Sequence, residues 1–76
     1  MMDLKQLRRK AGLRAEEVAA SVGVACSTVR NWEQGRTIPT LNIFQTQKLA
    51  RMYNCSLDEL VSVVEETQTR AGAIAS

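Results

Sequence analysis

Apolar positions along the chain recur at helical spacing in several separate stretches, and the polar positions between them sort into outward stripes. Leu4, Leu7 and Ala11 stand three and four residues apart, with Asp3 a good N-cap ahead of them and Gly12 a stop behind. This predicts a first helix with Lys5, Arg9 and Lys10 on its solvent side, after which Leu13 turns into the core. From Ala15 to Gly35 the chain reads AEEVAASVGVACSTVRNWEQG. Ala15, Val18, Ala19 and Val22 recur at i, i+3, i+4 and i+7, the stripe of a helix with one buried face, and Gly23 ends it. Val29 and Trp32 then lie one turn apart and face inward, while Ser27, Arg30, Asn31 and Gln34 form an outward stripe at the same spacing. Arg14 offers no side-chain acceptor, so the start of the second helix is expected to fray, although Glu16 and Glu17 suit the helix dipole.

Beyond Gly35 the residues Arg36 to Thr40 predict an extended connection, because Pro39 removes a backbone donor and disfavours helix at Ile38. Ile38 and Leu41 are its expected inward residues. A fourth helix fits from about Ile43 to Tyr53, with Phe44, Leu49, Met52 and Tyr53 apolar. Ser56 to Glu59 has the form of a capping box, and Leu57, Leu60, Val61 and Val64 continue it as a fifth helix with one buried face. Residues 67–76, TQTRAGAIAS, show no stripe that must be buried and read as a frayed tail after a domain spanning 1–66. Little apolar surface is then expected outside: Val63, Ile74 and Ile43.

With 76 residues the chain is one small domain, too short for a cleft built from two lobes. Cys26 and Cys55 are too few for a disulfide framework and, without histidine, make no usual four-ligand zinc site. Charged residues interrupt any signal-like run and nothing approaches a membrane span, so a soluble protein of the reduced cytoplasm is expected, without metal or cofactor. No nucleophile has a base partner and no glycine-rich loop waits for a phosphate, which argues against an enzyme and any catalytic residue. The net charge of +2 is unevenly spread. Residues 1–51 carry a net +5 and residues 52–76 a net −3. A basic half that contains the helix pair suits a polyanion such as double-stranded DNA.

The outward stripe narrows this further. An ordinary surface helix shows Glu and Lys there, whereas this one offers a hydroxyl, a guanidinium and two carboxamides, the groups that address base edges in a major groove. Arg30 is suited to guanine O6 and N7, Asn31 to adenine N6 and N7. Ser27 and Thr28 lie near the helix N-terminus, where hydroxyls meet a base edge or a phosphate. Gln34 and Arg36 suit the backbone. Trp32 beside Val29 reads as core, and Cys26 as a small apolar filler at the rim rather than a redox sensor.

Five helices with the second and third as a helix-turn-helix make an all-α layout. GLRAEEVAASVGVACSTVRNWEQGRTIP resembles the Cro and phage-repressor (XRE-type) helix-turn-helix family, and YNCSLDEL looks like the start of that family's last helix. The resemblance implies a compact five-helix bundle and a sequence-specific, repressor-like DNA-binding transcriptional regulator, acting as a homodimer on a two-fold operator. It also implies an Arg8–Glu33 ion pair between the first and third helices, and a core place for Cys55. Several positions depart from the pattern. The usual capping residue and phosphate-binding Gln before the second helix are Arg14 and Ala15, so that anchor is missing; Arg14 is itself an expected backbone contact. Ala25 and Cys26 replace a polar cap and a frequent base reader. A protein-interaction module, or an antitoxin-like subunit of a larger regulatory complex, is the rival function, and the polar outward stripe argues against it.

Overall fold

Asp3 opens the first helix, α1 (Leu4–Lys10), through a reciprocal cap: its carboxylate accepts from the Gln6 amide at 2.9 Å, and Gln6 Oε1 accepts from the Asp3 amide at 3.0 Å. The computed structural model describes residues 2–72. Four further helices follow in them: α2 (Ala15–Val22), α3 (Cys26–Glu33), α4 (Ile43–Met52) and α5 (Leu57–Gly72). Arg14 has no acceptor to give α2, yet Glu17 Oε1 accepts from the Arg14 amide at 2.9 Å. That single bond holds the start where the sequence predicted fraying. Gly23 closes α2 in the left-handed region, φ 75° and ψ 36°, and the Val24 amide donates back to the Ala19 carbonyl at 3.0 Å. The chain thereby turns sharply into α3.

A cap that the sequence reading missed sets the start of α4. Asn42 Oδ1 accepts from the Gln45 amide at 2.8 Å and Gln45 Oε1 accepts from the Asn42 amide at 3.0 Å. Gln45 Nε2 also donates to the Val22 carbonyl at 2.8 Å, tying α4 to the end of α2. The Ser56–Glu59 box opens α5, and its hydrogen bonds hold the Glu59 carboxyl below the usual carboxylate range. Leu4 and Leu7 of α1, Val18 and Val22 of α2, and Val29 and Trp32 of α3 are buried together with Leu49, Tyr53 and Leu60. Burial pushes the Tyr53 hydroxyl well above its ordinary value. Among the described residues no helix is long and apolar enough to cross a membrane.

The apolar stripes of α4 and α5 do not all point inward. Leu49, Ala50 and Tyr53 carry the inward side of α4, which leaves its first turn outside with Ile43 and Phe44 exposed. On α5 the buried line runs through Leu60 and Thr67 with Val63 and Val64 half-buried beside it, so Leu57 and Val61 fall off the edge and are exposed. Of the two residues expected to pack inward from the connection, Leu41 is half-buried against the core, whereas Ile38 is 60% exposed. Val63, expected outside, packs against the core.

The chain also stays helical through Gly72, where a tail was expected from Thr67. Thr67 is buried because its hydroxyl has two partners: Oγ1 accepts from the Leu4 amide at 3.0 Å and donates to the Val63 carbonyl at 2.8 Å. The first amide of α1 thus finds its acceptor 63 residues away. Arg70 adds an ion pair to Asp3 at 3.0 Å. The rest of the expected tail, residues 73–76 with Ile74, lies outside the described residues. Thr67→Val removes that acceptor and leaves a buried N–H unsatisfied, so urea unfolding should show a loss of about 1–3 kcal/mol. Thr67→Ser should stay close to the parent.

Candidate nucleic-acid interface

The position of α3 is set from behind. Val29 and Trp32 fix its inner side, and Glu33 at its end is held by Arg8 of α1, whose Nε donates to Glu33 Oε2 and whose Nη2 donates to Oε1 at 3.2 Å. The Arg8 and Glu33 side chains are only 12% and 7% exposed. Arg8 Nη1 meanwhile donates to the Leu13 carbonyl at 3.0 Å, in the link between α1 and α2. Hydrogen bonding to Glu33 raises the guanidinium further above its ordinary value, and it remains charged at any working pH. A planar fork with three filled donors leaves α3 little freedom to rotate.

With that back face anchored, Ser27, Arg30 and Gln34 are exposed and Asn31 half-buried along the outer side of α3. Arg36 follows at once: its amide donates to the Asn31 carbonyl at 2.9 Å, and its guanidinium lies 3.5 Å from Asn31 Oδ1. Thr28 is half-buried on the flank, its amide bonded to the Ala25 carbonyl at 3.0 Å. Arg14 stands exposed at the start of α2, and among the described residues its side chain makes no cap hydrogen bond. Ala25 supplies no side-chain cap, and among the described residues nothing accepts from the Cys26 and Ser27 amides. The front of α3 therefore presents two free donors at the positive end of a helix dipole, beside a hydroxyl, two carboxamides and two guanidinium groups.

One residue of this face was not singled out from the sequence for a role here. Glu16, in the first turn of α2, reaches across so that Oε1 lies 3.4 Å from Arg30 Nη2 and 3.7 Å from Cys26 Sγ. Its only sequence signal is an acid near the start of a helix, which the dipole already accounts for. Among the described residues no group of three or more His, Cys, Asp and Glu stands together to hold a metal ion. Burial, and after it the charge of Glu59, pushes the Cys55 thiol up.

Residues 4–60, which include α1 to α4 and the start of α5, match the helix-turn-helix family. The chain belongs to the Cro and phage-repressor helix-turn-helix family of DNA-binding transcription regulators. Two relatives carry the same stamp. The chain is 32% identical over 62 residues to the HTH-type transcriptional regulator DdrOP3 of Deinococcus deserti, a match that covers 82% of this chain and 46% of that protein. It is 33% identical over 57 residues to an uncharacterised HTH-type transcriptional regulator of Archaeoglobus fulgidus, covering 75% of this chain and 79% of the relative. The chain thus spans about half the length of the Deinococcus protein. No solved structure matches it.

The ion pair behind α3 is open to measurement. Glu33→Gln leaves a poorly solvated guanidinium without its counter-charge and should cost roughly 3–5 kcal/mol in urea unfolding. A loss below about 1 kcal/mol would contradict the anchoring role.

Proposed function

We propose that this helix-turn-helix chain is a sequence-specific regulator of transcription, repressor-like, that reads the major groove with the outer side of α3. The observation that carries this reading is the polar stripe Ser27, Arg30, Asn31 and Gln34, held outward by buried Val29, Trp32 and the Arg8–Glu33 pair. Ser27, Arg30 and Asn31 address bases. Thr28, Gln34, Arg36 and Arg14 meet the backbone, where the uncapped amides of Cys26 and Ser27 also suit a phosphate. Such work places the protein where DNA is, in the cytoplasm, and uses no cofactor, metal or catalytic step.

A single recognition helix reads only a few base pairs, so useful specificity calls for two copies on half-sites about 34 Å apart. The exposed strip of Ile38, Leu57 and Val61 offers a second copy an apolar surface. Three half-exposed side chains fall well short of the 1,200 Å² or so of total burial at which stable interfaces begin. The chain is accordingly monomeric when free and a homodimer on DNA. The rival, a protein-interaction module or antitoxin-like subunit, draws support from Ile43 and Phe44, more than 70% exposed on α4. These two residues lie off α3, so a protein contact there leaves the polar stripe available to DNA.

Selection of bound duplexes from a random pool separates the readings: enrichment of a two-fold symmetric site supports DNA reading, and no enrichment supports the interaction module. On the selected site Arg30→Ala should cost about 1–3 kcal/mol and relax preference at one base pair, whereas Arg36→Ala should weaken all sequences alike. Equal losses on selected and random DNA would remove Arg30 as a base reader. Leu57→Glu should abolish cooperative binding to the two-fold site, seen in a band shift, and leave half-site binding unchanged.

A further inference from the structure

Among the described residues the carboxylate of Glu16 is the one acid that touches the outer face of α3, and its placement is hard to explain by folding. Both it and Arg30 are mostly exposed, 62% and 60% for the side chains, and an exposed pair of this kind stabilises a fold by almost nothing. On a surface that meets phosphates an acid is also unfavourable for DNA affinity. Its contact chemistry resolves the conflict. Glu16 Oε1 reaches Nη2 of the guanidinium, 3.4 Å away, the Cys26 thiol lies against the same group, and among the described residues no side-chain oxygen is within hydrogen-bond reach of Nε or Nη1. Those are the donors that remain for guanine O6 and N7.

We propose that Glu16 is a specificity-determining residue that makes Arg30 a base reader in place of a phosphate anchor; this rests on the DNA-reading function proposed above. The counter-charge cancels most of the pull of Arg30 on the sequence-independent phosphate backbone. It leaves Nε and Nη1 open and biases the guanidinium toward the front of α3, across the angle between α2 and α3. Arg30 then contributes to affinity only where a guanine accepts from it. The Cys26 thiol, on the first turn of α3, lies 3.7 Å from the same oxygen.

The test measures binding of the full chain to its selected duplex, to that duplex with the Arg30 base pair changed, and to random DNA, across a salt series. Glu16→Ala is expected to raise affinity for random DNA several-fold and to steepen its salt dependence by about one in log–log slope, as for one added phosphate contact. It should cut preference at the Arg30 base pair about three- to tenfold, from a starting value of roughly 5- to 150-fold. Glu16→Asp keeps the charge and loses the reach, so random-DNA affinity should stay at the parent value while the preference still falls. In an Arg30→Ala background, Glu16→Ala should leave every base preference unchanged. The proposal is overturned if Glu16→Ala raises affinity equally on all three duplexes, with the base preference intact. A different failure belongs to the underlying reading: if Arg30→Ala alone keeps the base preference, readout by Arg30 falls and this role of Glu16 falls with it.

Discussion

Arg8 gathers three distant parts of the chain onto one guanidinium: its own helix α1, the end of α3 through Glu33, and the Leu13 carbonyl that begins the link into α2. Each of these helices is ten residues or shorter, too short to persist alone in water, so packing must supply what propensity does not. Val29 and Trp32 set the inner side of α3 by packing, and apolar contacts of this kind are non-directional. A bidentate pair at low exposure is directional. It locks the end of α3 in the rotation that Val29 and Trp32 set, and the composition of the outer side depends on both.

The surface is then divided by chemistry. Along α3 the outer side is polar, with hydroxyl and carboxamide groups, a guanidinium that meets Glu16, and two backbone amides with no partner among the described residues. Apolar exposure is concentrated elsewhere, on the first turn of α4, the preceding loop and one edge of α5. A small domain cannot cover all of its apolar atoms, but clustered large side chains are more than scatter and mark a contact surface. In the function proposed, reading DNA and meeting a second chain therefore call on different residues, and one can be altered without the other.

Small polar contacts hold the ends of this bundle more than its hydrophobic pattern suggests. Gln45 caps its own helix and crosses to α2, and Thr67 serves the first amide of α1 from the far end of the chain. Both contacts satisfy groups that a helix terminus would otherwise leave open.

Local chemistry was enough for much of this. The i, i+3, i+4 stripes of α2 and α3, the stop at Gly23, the caps at Asp3 and Ser56 and the outward set of Ser27, Arg30, Asn31 and Gln34 all follow from neighbours within a turn, which is the range over which propensity and capping act. The Asn42–Gln45 cap was equally local and was overlooked. Other features depend on contacts distant in sequence. Thr67 looks like a tail residue until Leu4 is beside it, and Leu57, Val61 and Ile38 look like core until the bundle proves too narrow to enclose them. Glu16 looks like a dipole-matched acid until the angle between α2 and α3 brings it to Arg30. A periodic stripe tells which side of a helix is apolar. How much of that side is covered, and which polar group meets which, is decided only when the helices pack.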